Sequence, residues 1–225
     1  ATETSAVEEV DWEQLAHSVV YIEVDCGGDS WMGSGTIVLD GGHVLTNHHV
    51  VIDDFGGFCE LKVWGMESLK DYPVWVAYGE VIPQALDRGL DLAVIRLVDG
   101  DRRPARAERR TPIEVSRREL DLGDEMKVLG FPGMGGEKLT MTPGEFSGWW
   151  TDEEFDYWTG EFYKTSAKMG PGVSGGAAFN AETGEFVGVP TGMDWAESNE
   201  RGDILGLVRP GRYATPLLNA AERAG

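Results

Sequence analysis

The stretch Gly170-Pro171-Gly172-Val173-Ser174-Gly175-Gly176 sets a serine on a glycine-flanked turn. A hydroxyl presented in this way attacks an acyl carbon once a base takes its proton. Gly172 has no Cβ, so the backbone can bend until the N–H groups of Gly172 and Ser174 point into one hollow, which is what a tetrahedral oxyanion needs. Gly175 and Gly176 leave room for a substrate chain and for an approaching imidazole. A tight glycine-rich surface turn with an incidental serine fits the same residues, so the pattern acquires meaning only beside a base.

The chain has four histidines. Two of them lie in Thr46-Asn47-His48-His49-Val50-Val51, where a strand runs out into a short turn or helix. A serine is a weak nucleophile at neutral pH and needs an imidazole that titrates near the working pH, so activity is expected to fall as that imidazole protonates. The imidazole in turn needs a buried carboxylate to hold it in one tautomer. Asp91, directly before Leu92-Ala93-Val94-Ile95, stands at the mouth of a buried strand and can serve. Asp87, slightly earlier and in a loop, is the rival, and a plain strand-capping role for Asp91 is the other reading. Histidine, aspartate and serine follow one another in an order used by one class of serine triads.

Regular alternation of apolar and polar residues dominates the segments that must carry these groups. Strands are expected over 18–25, 32–39, 43–46, 58–64, 74–82 and 91–97, and again over 127–131, 139–148, 149–151, 157–166, 179–180, 186–191 and 204–208. Short helices are expected at 11–17, capped by Asp11, and at 213–223, with Leu217 and Leu218 turned inward. This spacing describes an all-β chain of two barrel-like halves. Residues 1–10 read as an acidic lead-in, 11–98 as the first barrel with the base and acid, 99–120 as an arginine-rich connector, and 121–225 as the second barrel with Ser174 and the terminal helix. The connector's arginines are expected to neutralise nearby carboxylates. The aromatic run Trp149, Trp150, Phe155, Tyr157, Trp158, Phe162 and Tyr163, around Asp152-Glu153-Glu154, either packs the second barrel or grips a partner.

With 225 residues, 41% of them hydrophobic, the chain can bury a substantial core. Thirty-nine acidic against 19 basic residues give a formal charge of −20, which argues against nucleic acid or an anionic membrane as the main partner. No apolar run is long enough for a membrane-spanning helix. Cys26 and Cys59 allow one disulfide, or stand as two buried thiols; neither has metal-ligand spacing. His48, His49, Asp53 and Asp54 have no helix to gather them into a metal site, and Gly133-Met134-Gly135-Gly136 has no helix behind it to make a phosphate loop. No cofactor is expected. The chain starts Ala-Thr-Glu-Thr-Ser, as a processed or truncated product would, so a secreted or cell-envelope location is expected, with the cytoplasm as the alternative.

Taken together, the three motifs resemble a chymotrypsin-fold (trypsin-like) serine protease, and within that clan the bacterial Deg/HtrA-type branch. Gly33-Ser34-Gly35-Thr36-Ile37-Val38, Val44 to Val51 and Asp91 to Ile95 are similar to that branch's first barrel. Gly123-Asp124, Val128-Leu129-Gly130-Phe131-Pro132, Thr140 to Ser147 and Thr165 to Gly176 are similar to its second. The resemblance implies two six-stranded antiparallel barrels and a serine endopeptidase acting on proteins or peptides. It makes His49, which precedes Val50-Val51, the base rather than His48, with Asp91 as orienting acid, Ser174 as nucleophile, and the Gly172 and Ser174 amides as oxyanion donors. It also assigns Lys168, Met169, Gly170, Thr191, Gly192 and Met193 to substrate binding, with Thr191 reaching Asp91, and Lys168 as a cation that would favour acidic side chains. Val173 departs from the Asn of the branch and the Asp of digestive enzymes, so activation through an ion pair with a new amino terminus is not implied. The sequence ends soon after its last expected strand, leaving no room for a PDZ domain, and nothing is implied about oligomers. A silent protease-fold binding module and an esterase-like hydrolase are the rival functions.

Overall fold

The computed structural model describes residues 9–53, 55–133, 137–151, 158–193 and 205–224, together with all but the side chain of Met193. Asp54, Met134, Gly135 and Gly136, the acidic turn 152–154, Phe155, Tyr157 and Ile204 lie outside these residues.

Twelve strands close into two six-stranded antiparallel barrels, in the orders β1-β2-β3-β6-β5-β4 and β10-β11-β12-β9-β8-β7. The first contains β1 (Val19–Asp25), β2 (Ser30–Val38), β3 (His43–Thr46), β4 (Glu60–Gly65), β5 (Val74–Asp87) and β6 (Leu92–Val98). The second contains β7 (Glu125–Gly130), β8 (Thr140–Thr151), β9 (Glu161–Thr165), β10 (Ala177–Asn180), β11 (Phe186–Met193) and β12 (Gly206–Pro210). Helices are short: α1 (Trp12–His17), α2 (His48–Val51) and α3 (Thr215–Ala224), the last preceded by a 3₁₀ turn at 211–214. Asp11 caps α1, accepting from the Gln14 amide at 2.9 Å.

Each barrel buries the inward set of its alternating residues. Val20, Ile22, Ile37, Val44, Leu61 and Ile95 fill the first, and Met126, Val128, Phe146, Tyr163, Val187 and Val208 fill the second. A third apolar cluster joins them, with Tyr21, Leu45, Leu92 and Val94 from one barrel against Leu129, Phe131, Phe179 and Val189 from the other, and with Leu217 and Ala221 of α3 beneath. This shared core fixes the seam on which the site is built.

The connector runs along both barrels, bridging Ile113 to Val38 and Val115 to Phe186. Its Arg103, Arg106 and Arg118 meet Asp101, Asp40 and Glu185 at 2.8, 2.6 and 3.4 Å. Among the aromatics, Phe146, Trp149 and Tyr163 meet edge-to-face or tilted, as do Trp150, Trp158 and Phe162. Cys26 and Cys59 are joined in a disulfide that ties the β1–β2 turn to the segment following α2.

Candidate active site

The β3–β6 ladder determines where the imidazole and the carboxylate meet. It pairs Val44 with Ile95, Leu45 with Val94 and Thr46 with Ala93, so the next positions along the two chains approach residues 48 and 91. There β3 turns into α2 and His49 comes against Asp91. His49 Nδ1 lies 2.7 Å from Asp91 Oδ2, and the His49 amide donates to Asp91 Oδ1 at 3.0 Å. Asp91 is 3% exposed, whereas the His49 side chain is 47% exposed, so the pair is dry behind and open in front. Asp91 holds φ +54°, a left-handed conformation that aspartate tolerates better than most residues. Asp87, the rival, instead accepts from the Leu90 amide at 2.9 Å and closes the turn leading to Asp91. His48 is half-buried, and that burial, with Arg88 and His49 nearby, holds its pKa below the ordinary histidine value despite Asp91 and Asp87.

Ser174 lies on the loop between β9 and β10, anchored at several backbone points. Its carbonyl accepts from the Ser34 amide of the first barrel at 2.8 Å, and the Gly175 amide donates to the Pro190 carbonyl at 2.8 Å. Gly175, at φ +85°, sits so close to the Ser34 carbonyl and Thr46 Oγ1 that a Cβ there would collide with both. Gly172, at φ +97°, is equally confined by the Phe131 carbonyl. Among the described residues, the N–H groups of Gly172 and Ser174 have no hydrogen-bond acceptor. The Ser174 hydroxyl donates to the Thr191 carbonyl at 3.1 Å and makes no hydrogen bond to His49.

Thr191 does not reach the Asp91 carboxylate. Its hydroxyl donates to the Val189 carbonyl at 3.1 Å and accepts from Asn47 Nδ2 at 3.0 Å, while the same Nδ2 donates to the Asp91 carbonyl at 2.8 Å. The link expected to be direct therefore passes through Asn47, a fully buried amide at the strand exit. Sequence reading missed Asn47 as a connector; its only signal was a polar residue where an apolar run ends.

A cavity of about 100 Å³ adjoins Ser174, lined by Met169, Gly170, Pro171, Val173, Pro190, Thr191 and Gly192. Met169 also lies against Gly206 of β12. Val173 is buried among second-barrel core residues, where the Asn or Asp implied by the family would have been polar. Lys168 is exposed and is not part of that lining; its carbonyl accepts from Thr142 Oγ1 at 2.8 Å. Met193 ends β11 with its side chain undescribed.

Behind Asp91, the Thr159 amide donates to the Gly89 carbonyl at 2.7 Å. Buried Arg209 holds the Thr159 and Glu161 carbonyls at 2.8 and 3.0 Å, so the second barrel braces the acid loop. Burial lowers the Arg209 pKa to about 10, with the Asp91 charge opposing.

Residues 33–189 match the family described as trypsin-like peptidase domain. Among curated proteins, a probable periplasmic serine endoprotease, DegP-like, of Chlamydia trachomatis is 31% identical over 73% of this chain and 29% of its own length. Serine endoprotease DegS of Escherichia coli K12 is 28% identical over 86% of this chain and 49% of its own. The chain thus spans between about a third and a half of these relatives. Among solved structures, the serine endoprotease from Yersinia pestis superposes with TM-score 0.68 at 26% identity, covering 94% of this chain and 65% of that one.

Proposed function

The chain belongs to the trypsin-like peptidase family, and on that premise we propose that it is a serine endopeptidase whose triad is His49, Asp91 and Ser174. The observation that carries this reading is the 2.7 Å contact between His49 Nδ1 and a buried Asp91 carboxylate. With Nδ1–H donated to Asp91, Nε2 is left as the basic nitrogen on the exposed edge of the ring. For the reaction the hydroxyl leaves the Thr191 carbonyl for Nε2, and catalytic contacts of this kind commonly tighten only with substrate present. Ser174 Oγ then bonds to the scissile carbonyl carbon as its proton passes to Nε2. The carbonyl oxygen becomes the oxyanion, stabilised by the amides of Gly172 and Ser174, which have no acceptor among the described residues. As the tetrahedral intermediate collapses, Nε2 gives the proton to the leaving amine and the C–N bond breaks. Water then releases the acyl group by the same route.

The small apolar cavity beside Ser174 suits a short aliphatic side chain on the acyl side of the cleaved bond. With Lys168 outside it, a preference for acidic side chains has no support there. A periplasmic, envelope or secreted location is consistent with the Cys26–Cys59 disulfide and with the chlamydial relative described as periplasmic. Among the described residues, no helix is long and apolar enough to cross a membrane. Proteins or peptides are the proposed partners.

A second reading, a silent binding module, draws on the Ser174 hydroxyl being held by Thr191 rather than His49. An alkyl fluorophosphonate probe separates the two. We expect the wild-type chain to be labelled and Ser174→Ala not to be; an unlabelled wild type across pH 6–9 would favour the module.

A further inference from the structure

Ser34 sits in β2 between Gly33 and Gly35, fully buried, and belongs to the barrel opposite the nucleophile. Each of its polar groups is engaged. Its amide donates to the Ser174 carbonyl at 2.8 Å, and its carbonyl accepts from Thr46 Oγ1 at 2.7 Å. Its hydroxyl donates to the Gly172 carbonyl at 2.7 Å and accepts from the Phe131 amide at 2.8 Å. One side chain of the first barrel therefore grips the residue that must supply an oxyanion donor, and fastens it to the end of β7.

The direction in which the Gly172 amide points depends on the two peptide groups flanking it. The Pro171 carbonyl accepts from the Gly133 amide at 2.9 Å. A trans peptide sets C=O and N–H on opposite sides, so fixing that oxygen on Gly133 turns the Gly172 N–H the other way, where no protein acceptor meets it among the described residues. The following peptide is fixed too, its oxygen by Ser34 Oγ and its N–H by the Gly170 carbonyl at 3.1 Å. Glycine has access to both halves of φ/ψ space, and Gly172 at φ +97° has no side chain of its own to hold it there. The restraint has to come from its neighbours, and the Ser34 hydroxyl is the side chain that provides it.

We propose that Ser34 is a positioning residue for the oxyanion-binding amides, its hydroxyl keeping Gly172 in the conformation that aims its N–H at the reacting carbonyl oxygen. This rests on the peptidase reading above and deepens it. Without the hydroxyl, the Gly172 carbonyl and the Phe131 amide are left buried and unpartnered. Rotating the 171–173 backbone relieves that cost and turns the donor out of the hollow.

The test uses the full chain, a peptide p-nitroanilide with valine before the scissile bond, and the matching peptide boronic acid. Removing an oxyanion donor characteristically costs about 10²–10³ in kcat, so Ser34→Ala is expected to lose about 10² in kcat with KM within about twofold. Its affinity for the boronic acid should fall by a similar factor, because the boronate places an oxygen in the hollow, while the cleaved product peptide binds as before. Ser34→Cys keeps a weaker donor in place and should fall between the two; if Ser34→Ala does not fold, this variant alone decides. A kcat retained by either variant, or a loss that appears entirely in KM, overturns the proposal. A wild-type chain inert to the fluorophosphonate would instead remove the peptidase reading itself.

Discussion

On the His49 side of the cleft, His49 and the Asp91 carboxylate are joined twice, through ring and backbone, at 2.7 and 3.0 Å. On the Ser174 side, the hydroxyl rests 3.1 Å from the Thr191 carbonyl and makes no hydrogen bond to His49. The difference follows from what carries each group. His49 and Asp91 extend a hydrogen-bonded ladder whose register leaves their approach little freedom. Ser174 rides on a loop, and its place depends on tethers from elsewhere: Ser34 of the first barrel and Pro190 of β11. The ladder fixes the imidazole against its carboxylate, whereas the tethered loop leaves the Ser174 hydroxyl resting on Thr191.

Removing the acid should have the largest effect on this contrast. Asp91→Asn keeps the shape but offers His49 an amide that can hold the wrong tautomer, and in triads of this kind that substitution costs about 10⁴ in kcat. A rate of fluorophosphonate labelling within tenfold of wild type would mean that the doubly bonded side is not what activates Ser174. A smaller effect is expected where the two sides join. Asn47 contacts the Asp91 carbonyl and the Thr191 hydroxyl, and Thr191 holds Ser174. Asn47→Ala leaves buried acceptors unpaired, at about 1–3 kcal/mol of stability by denaturant unfolding, and should slow kcat roughly tenfold as the pair loosens. If Thr191→Val combined with Asn47→Ala is simply additive, the two sides are independent and the comparison stands without a bridge.

Much of this was legible in the residues. Alternation located β3 at its observed bounds and β6 within one residue at each end, and those two strands bring His49 to Asp91. Where strands bend, the pattern failed. β5 runs on to Asp87 through Pro83, with its register shifting between Val81 and Leu86, so the period-2 signal stops at Ile82 although the strand does not. β8 continues through Gly148 at φ +131° with another register shift, where two separate strands were expected. The reach of Ser34 and Asn47 was invisible for a different reason. Their partners lie 138 and 144 positions away in the chain, and no local period encodes which strand exits will face each other. Thr191 was placed beside the acid by resemblance, but the amide between them was not.

The smallest effect concerns pH, and it again separates the two sides. Residues 170–176 carry no acidic, basic or histidine side chain, whereas His48 stands on the opposite side of the cleft. His48 has its pKa lowered mainly by burial, with Arg88 and His49 adding to the shift and Asp91 and Asp87 opposing it. Between the unfolded value near 6.5 and the lower folded value, the unfolded chain therefore binds more protons than the folded one. The contribution is fully present above that unfolded value and is lost as pH falls through the folded value. His48→Asn removes the group and keeps a polar side chain, so its melting temperature should fall less than that of wild type between pH 7 and pH 5. Parallel falls for the two proteins would show that His48 meets as much water as an unfolded histidine. The imidazole beside His49 would then lie on the wet face of α2, leaving Asp91 as the dry member of this side.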